Sequence, residues 1–380
     1  MSNRETLADI TVVDVDVHVN DTPRELAPYI DMPWRKSLEY LEEVPWRYLS
    51  IPGYAPQFRD NLPLWPGGNT MFRQVTSPAQ MKEELSAFHI DIGVLFPDHL
   101  LLINNLPQVE YAAALARAYN AYIVDKWCDK EQGLKGCIIA CSQDPEDAAR
   151  EIEKYKDVEG IVGIYLPCAG LDVLWGHKKY DPIFQAAESA GLPLILHAAT
   201  TLVPHFPNNV HQYETLIGQF VFPHCFSMMA NMLKMMEKGI PVRFPKLKIC
   251  FEEAGISWVP FMMMRLDKVY LEQRREWGIL EHPPSHYVKN FYYATQPIEE
   301  PDKPEHLKQI IDMFEGENRV MFASDWPHHD FDHPREVFNN PAFTPELRRK
   351  IMGENALEFF NIDKTGRRLN LEKKAIDQIK

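Results

Sequence analysis

Thr11-Val-Val-Asp-Val-Asp-Val-His18 combines the pattern of a β-strand with two potential metal ligands. Because side chains along a strand point alternately to its two faces, Asp16 and His18 face one side while Val15 and Val17 face the other. The two polar groups are then about 7 Å apart along the strand. A carboxylate oxygen and an imidazole nitrogen that face the same space can supply half of the ligands of a metal ion. The stretch therefore predicts a strand that contributes to a metal site, if other strands bring further ligands to that space.

Further short runs of β-forming, mostly apolar residues follow along the chain. Continuous apolar runs are typical of strands that are buried on both faces. Segments of helix length separate most of them, including one that opens at Asp144-Pro-Glu-Asp-Ala148 and others over residues 109–130, 181–190, 226–238, 258–274 and 303–315. Strands that alternate with helices in this way predict an α/β fold, a (β/α)8 or TIM barrel, rather than an open sheet. The predicted strands cover residues 11–18, 91–97, 135–141, 161–166, 193–198, 247–252, 291–295 and 319–323.

Two segments do not fit the barrel pattern. Residues 20–90 are rich in proline, with several tryptophans and glycines, and predict a long irregular insertion after strand 1. In a barrel this insertion lies over the C-terminal mouth, where loops build the active site; a surface excursion without a chemical role is the alternative. The charged segment 362–380 is predicted to form an exposed C-terminal tail. With these additions, residues 1–380 are predicted to form a single domain.

The composition narrows the choice of partners and compartment. A net charge of −14 disfavours binding to nucleic acid or to an anionic membrane. The six cysteines show no CxxC pair, and the N-terminus has no signal-peptide pattern, so we expect a soluble cytoplasmic protein with reduced cysteines. The methionine-rich stretch 228–236 is expected to serve packing or a subunit interface. We expect a homo-oligomer that acts on a small molecule, with a hetero-oligomer containing a related subunit as the alternative.

Three later strands also end on residues that bind metals. Strand 5 ends at His197, strand 6 is followed by Glu253, and strand 8 leads to Asp325. A buried ionisable group is costly unless it is paired or bound to a metal, so four such strand ends at one rim predict a shared centre. Nitrogen and oxygen ligands suit zinc, which we expect, or manganese or iron, and the lack of thiolates argues against a closed structural zinc site. The predicted ligands are Asp16, His18, His197 and Asp325, with Glu253 as a further candidate because only one of Glu252 and Glu253 can face the barrel axis.

Each of these residues also has an explanation without a metal. His197 taken alone is typical of a hydrogen-bonded core histidine, and Asp325 before Trp-Pro is typical of a turn. The joint pattern favours metal binding. His328 and His329 follow Asp325 and are candidates for partners of the ligands or for a proton donor that faces the substrate. We predict Asp325 and His329 as the catalytic residues.

Several motifs together resemble those of a known family. They are Asp14-Val-Asp-Val-His18, Leu194-Ile-Leu-His197, Arg243-Phe-Pro-Lys-Leu-Lys-Ile-Cys-Phe-Glu-Glu-Ala-Gly255 with Trp258-Val-Pro260, and Phe322-Ala-Ser-Asp-Trp-Pro-His328. In this order the chain resembles the amidohydrolase-related family, in the branch that contains the aminocarboxymuconate-semialdehyde and resorcylate decarboxylases. The resemblance implies a TIM barrel of the metal-dependent hydrolase type, with Asp16, His18, His197 and Asp325 as ligands. It also implies that Asp325 shuttles protons.

Two positions depart from the usual pattern of that family. Its His-x-His motif is Asp-x-His here, which resembles the variant of some decarboxylases that use a carboxylate as first ligand. Decarboxylase members carry a histidine after strand 6, where this chain has Glu253.

These observations predict a metal-dependent enzyme that acts on a small carboxylated substrate, with aromatic acids included. The reaction is either decarboxylation or hydrolysis through a metal-bound water, with Asp325 as proton shuttle; both need nearly the same ligands. An oxygen-activating non-haem iron enzyme is an alternative, and Glu253 and His329 leave room for a second metal. A non-catalytic barrel subunit of a complex is another, favoured if the strand-end residues are hydrogen-bonded to each other.

Overall fold

The protein is built around one sheet of eight parallel strands that follow one another in chain order. The computed structural model describes residues 6–39, 75–199, 218, 221–328 and 331–369. Each strand pairs in parallel with the next one along the chain. The strands are β1 (Val13–Val19), β2 (Ile92–Pro97), β3 (Leu134–Ile139), β4 (Ile161–Pro167), β5 (Leu194–His197), β6 (Ile249–Glu252), β7 (Tyr292–Ala294) and β8 (Val320–Met321).

The sheet closes through the segment that follows β8. The N–H of Val15 donates to the carbonyl of Phe322 at 3.1 Å, and the N–H of His18 donates to that of Trp326 at 2.8 Å. Val17 and Trp326 form a parallel bridge. These bonds join the last strand to the first, so the predicted (β/α)8 barrel is confirmed. β8 is shorter than predicted because residues after Met321 bond to β1 at separate points, not as a continuous ladder.

Helices occupy the connections between the strands. The described α-helices are α1 (Pro23–Leu26), α2 (Trp34–Glu39), α3 (Pro78–Ala87), α4 (Val109–Tyr122), α5 (Pro145–Tyr155), α6 (Asp181–Ala190), α7 (Pro223–Glu237), α8 (Ile240–Arg243), α9 (Trp258–Glu272), α10 (Pro284–Val288), α11 (Pro304–Met313), α12 (Pro334–Phe338), α13 (Pro345–Arg349) and α14 (Asn355–Phe360). All six predicted helical segments are present. The one predicted over 109–130 is α4, followed by a π-helical turn over Ile123–Trp127.

Local signals in the sequence explain where these helices begin and end. Asp144 caps α5, because its carboxylate accepts a hydrogen bond from the N–H of Asp147 at 3.0 Å. Pro145 occupies the first turn, where a missing N–H costs nothing. Gly191 ends α6 in the left-handed conformation that glycine adopts without strain.

The segment between β1 and β2 is less irregular than predicted in its described parts. It contains α1, α2 and α3, and α3 leads into β2. Pro23 and Pro78 stand in the first turn of α1 and α3, where proline is compatible with a helix, so they mark helix starts. Residues 40–74 lie outside the described residues, and the position of the insertion over the barrel mouth stays a prediction.

The described start of the C-terminal segment is attached to the barrel. The Arg368 guanidinium donates to the carbonyl of Lys156 at 2.7 Å, and the N–H of Arg368 donates to the Glu159 carboxylate at 2.7 Å. Residues 362–369 are therefore not a free tail, and residues 370–380 lie outside the described residues.

The buried face of α7 explains the methionine-rich stretch. Met228, Met232, Met235 and Met236 are fully buried, so they belong to the core of this chain. A homo-oligomer stays a prediction. All six cysteines are free thiols, as expected. None of the helices in the described part of the chain has both the length and the apolar character that crossing a bilayer requires.

Candidate metal centre

β1 carries Asp16 and His18 to the carboxyl end of the barrel. Both side chains are buried, with 0% of Asp16 and 2% of His18 exposed, while Val15 and Val17 pack in the hydrophobic core. Asp14 anchors this strand, because it accepts a hydrogen bond from the hydroxyl of Ser324 at 2.5 Å. The alternation predicted for this strand therefore brings its polar groups to one space.

The predicted ligands from three strand ends meet in that space. His18 Nε2 lies 3.1 Å from Asp16 Oδ1 and 3.0 Å from Asp325 Oδ1. His197 Nε2 lies 3.1 Å from the same Asp16 Oδ1. The possible ligand atoms of Asp16, His18 and His197 all lie within 4.8 Å of one another. Asp16, His18, His197 and Asp325 are thus brought together as predicted.

The donor atoms in this cluster fit a divalent cation better than they fit each other. His197 Nε2 and Asp16 Oδ1 are within hydrogen-bonding distance, which is the contact expected of a barrel without a metal. That contact leaves Asp16 Oδ2 buried and without a hydrogen bond to any described residue, and His18 Nε2 has two carboxylate oxygens within 3.1 Å without a well-aligned hydrogen bond to either. Such atoms are costly to bury without a partner, and a shared cation would provide one.

Backbone carbonyls fix the orientation of both histidine rings. His18 Nδ1 lies 2.7 Å from the carbonyl oxygen of Pro97, and His197 Nδ1 lies 2.6 Å from that of Ala198. With Nδ1–H donating to a carbonyl, the Nε2 lone pair of each ring faces the centre. This is the usual arrangement of histidines that bind a metal.

Asp325 follows β8 in a left-handed backbone conformation, with a φ of 62°. A non-glycine residue at positive φ costs roughly 1 kcal/mol or more and persists where its surroundings hold it. Here the N–H of Asp325 donates to the carbonyl of Asp16, and the Gln296 amide donates to Asp325 Oδ2 at 3.3 Å. Oδ1 is directed towards His18 and towards His328 Nδ1, which is 2.6 Å away.

Glu253 lies on the outer side of His197. Its Oε2 is 3.2 Å from His197 Nδ1, and it does not belong to the clusters of possible ligand atoms found among the described residues. From the sequence we expected only one of Glu252 and Glu253 to face the barrel axis, on the assumption that the strand continues through both residues. Instead, Glu253 has a φ of 58°, so the alternation of side chains ends before it. Both side chains are fully buried.

His328 is a close neighbour of the predicted ligands. Its ring stacks on that of His18, with centroids 4.0 Å apart, and its Nε2 lies 3.4 Å from Asp98 Oδ1. The possible ligand atoms of His18, Asp325 and His328 also lie within 4.8 Å of one another. His329 and residues 200–217 lie outside the described residues, so the catalytic role of His329 stays a prediction.

Opposite charges stabilise one another in this buried cluster. Burial disfavours an ionised Asp16, but the charges of His197 and His18 outweigh it and hold the pKa of Asp16 well below its usual value. Burial likewise disfavours a charged His18, yet the charge of Asp16 raises the pKa of His18 to about 9. Burial, and then the charge of His18, lower the pKa of His328. A divalent cation could take the place of the protons on His18 and His197, because its positive charge would stabilise the ionised Asp16 in the same way.

Sequence reasoning missed Asp98 and Gln296. Both lie directly beyond the carboxyl end of a barrel strand, Asp98 after β2 and Gln296 shortly after β7. The rule that identified His197 and Asp325, a polar residue at the end of an apolar strand, also applies to them. They were missed because an amide is a poor metal ligand and Asp98 has no ligand neighbour in the sequence.

The fold and these donor atoms define a metal-binding TIM barrel with its centre at the carboxyl ends of the strands. A model of the family described as amidohydrolase matches residues 13–362, which include all the predicted ligands. The chain belongs to the amidohydrolase family.

Known proteins with related sequences or folds include aromatic acid decarboxylases. The chain is 23% identical to gamma-resorcylate decarboxylase of Polaromonas sp. (strain JS666 / ATCC BAA-500) over 288 residues, which cover 70% of this chain and 83% of the relative. An amidohydrolase structure from Mycobacterium avium subsp. paratuberculosis K-10 has a TM-score of 0.72 at 18% identity, over 93% of this chain and 99% of that one. The dihydroxybenzoic acid decarboxylase of Polaromonas sp. JS666, with bound manganese and the inhibitor 2-nitroresorcinol, has a TM-score of 0.69 at 18% identity, over 93% and 97%. At these identities the structures share the fold with this chain.

Proposed function

We propose that the protein is a metal-dependent carboxy-lyase that removes carbon dioxide from a small aromatic carboxylic acid. The convergence of Asp16, His18, His197 and Asp325 on one buried space is the observation that carries this proposal. The decarboxylases among its relatives favour a carboxylated aromatic substrate over other substrates of the family.

We propose manganese as the metal. Two carboxylates and two imidazoles form a donor set that suits manganese, iron or zinc. The Polaromonas structure with the same fold holds manganese, which favours this ion over the zinc expected from the sequence. Zinc and iron are the alternatives that a metal analysis separates.

The residues of the centre divide the work of such a reaction. A bound divalent cation supplies positive charge that attracts the oxygens of the substrate and withdraws electrons. Asp16, His18 and His197 hold that charge in place. Asp325 moves the proton: its carboxyl group protonates the ring carbon that carries the carboxylate, the bond to the carboxylate breaks, and its electrons return to the ring as carbon dioxide leaves. Asp325 then regains a proton, so that one proton is consumed for each carbon dioxide released.

The surroundings of Asp325 suit this role. Its side chain is fully buried, so bulk water does not exchange its proton freely. Gln296 holds Oδ2 while Oδ1 faces both His18 and His328, which places the acid between the metal-binding residues and a second titratable group. Hydrolysis stays a second candidate because the same carboxylate can act as a base for water, and His329 stays a candidate for the proton donor.

Metal analysis and carbon dioxide release test the proposal together. Purified protein is expected to contain about one divalent ion per chain, and, after loading with Mn²⁺, to release carbon dioxide from 2,6-dihydroxybenzoate or a related hydroxylated benzoate. Esters and amides of the same acids serve as hydrolysis substrates in parallel. Cleavage of those esters or amides without carbon dioxide release from any acid would replace the lyase by a hydrolase. If the purified protein contained no metal after growth in any medium, both the lyase and the hydrolase proposals would be wrong.

A further inference from the structure

His328 lies between two carboxylates. Its Nδ1 is 2.6 Å from Asp325 Oδ1, and its Nε2 is 3.4 Å from Asp98 Oδ1. The ring is almost completely buried and is stacked on His18 at an angle of 20°. Stacking alone leaves such a ring free to turn over, because the two faces of an imidazole are alike. Turning the ring over would direct carbon atoms at both carboxylates. The two polar contacts therefore select one orientation of the ring.

The turn that carries Asp98 is itself firmly held. Asp21, which follows β1, accepts hydrogen bonds from three consecutive backbone N–H groups. They are those of Asp98 at 2.9 Å, His99 at 2.7 Å and Leu100 at 3.0 Å. A carboxylate that accepts several backbone N–H groups forms strong, charge-assisted bonds. Asp98 thus lies at a fixed place beside the barrel mouth, 9% exposed, and can act as a rigid support for His328.

We infer that Asp98 is a positioning residue, which holds the imidazole of His328 so that Nδ1 is directed at Asp325. This inference deepens the proposed function, because it rests on Asp325 as the residue that moves the proton. Asp98 reaches the centre through the imidazole of His328, while on the ligand His18 it acts through its charge, which against the effect of burial helps to raise the pKa of that ring. Removal of Asp98 should therefore disturb proton movement at Asp325 and leave metal binding intact.

Two substitutions at Asp98 test this inference in the Mn²⁺-loaded enzyme. Asp98→Ala removes the support, and kcat is expected to fall about 10- to 100-fold, as is typical for partners of catalytic groups. KM and metal content are expected to stay at their wild-type values. Asp98→Asn keeps an oxygen that can accept from Nε2, so it is expected to recover most of the lost kcat. His99→Gln is a control for disturbance of the same turn: its ring lies 3.5 Å from Asp21 and 4.0 Å from Asp98 Oδ2, and the variant keeps the Asp98 carboxylate, so its kcat is expected to fall much less than that of Asp98→Ala.

A measurement on the histidine ring separates this inference from the proposed function. In zinc-loaded protein with ¹⁵N-labelled histidine, the ring signals of His328, assigned with His328→Gln, report its tautomer and hydrogen bonds. They are expected to change in Asp98→Ala and to change less in Asp98→Asn. Unchanged His328 signals, an unchanged kcat, or a loss of kcat that follows a loss of metal would each overturn the inference. If wild-type protein releases no carbon dioxide, the proposed function fails, and the ring signals still decide the role of Asp98.

Discussion

The centre has two halves that are built differently. Asp16, His18 and His197 form the strand-borne half, because they lie within β1 and β5. Glu253, Asp325 and His328 form the turn-borne half, because they follow β6 and β8. In the strand-borne half, each histidine ring is fixed by a backbone carbonyl. In the turn-borne half, two residues have positive φ values, and the side chains contact other ionisable side chains.

This difference suggests a division of labour. Ligands of a metal ion need fixed positions, and a barrel strand with carbonyl-bound rings provides them. A group that moves protons needs neighbours that can donate and accept them, and the turns after the strands supply these. If the division is real, substitutions in the two halves should have separable effects on metal content and on turnover.

The largest expected effect is that of His197→Ala in the strand-borne half. Removal of this ligand should release the metal and abolish carbon dioxide formation, a greater loss than the ~10- to 100-fold typical of outer partners. Metal analysis and a carbon dioxide assay check both expectations. Circular dichroism should show that the barrel is retained, since the strand ladder is made by backbone bonds and the ring of His197, which packs against Phe96 and Tyr165, takes no part in that ladder. Wild-type metal content in this variant would contradict the assignment of His197 as a ligand.

Asp325→Asn in the turn-borne half should abolish turnover while most of the metal remains bound. The amide keeps the shape of the side chain but cannot carry the proton. Asp16, His18 and His197 still offer three donor atoms to the ion. The ratio of turnover to metal content therefore distinguishes this variant from His197→Ala. Equal losses of metal and activity in both variants would show that the two halves do not have separate roles.

Glu253→Gln should have an intermediate effect. Glu253 contacts His197 Nδ1, so we expect it to support the ligand from outside, with a metal affinity about 10-fold lower in the variant. Isothermal titration calorimetry with Mn²⁺ measures this change in affinity. The stoichiometry is expected to stay the same. A loss of one bound ion per chain would instead make Glu253 a ligand of a second metal.

Ser324→Ala should have the smallest effect and act on stability alone. The hydroxyl of Ser324 donates to the buried Asp14 and accepts from the N–H of Trp326, and the loss of both bonds is expected to cost about 1–3 kcal/mol in the free energy of unfolding. Urea denaturation of metal-loaded protein measures it. Metal content should not change, because Asp14 and Ser324 anchor β1 without contributing predicted ligands. A large loss of metal would place this pair within the centre.

The strand-borne half could be predicted from the sequence because strand geometry is periodic. Asp16 and His18 follow from the alternation of Thr11–His18, and His197 follows from an apolar strand that ends on an imidazole. The parallel barrel then brings those ends to one rim, whichever loops connect them. Asp325 was predicted by the same rule of a polar residue after an apolar strand, although it lies four residues beyond the end of β8 at Met321.

The contacts of the turn-borne half could not be predicted because they depend on backbone angles outside the strands. The positive φ of Glu253 turns it towards the outer nitrogen of His197, and no periodic pattern encodes that angle. His328 meets Asp98 although 230 residues separate them in the chain, and only the closed barrel brings them together. The segments 20–90 and 198–222, where the sequence leads us to expect substrate selectivity, carry no sequence pattern from which a pocket can be derived.

The hydrogen bond between Asp14 and Ser324 joins residues 310 positions apart. A ribosome makes Asp16 and His18 more than 300 residues before it reaches Asp325. While that intervening stretch is synthesised, the emerging polypeptide carries an incomplete set of ligands. Messages that stop before the codon of Asp325 should yield products that cannot become active, however well their earlier strands fold.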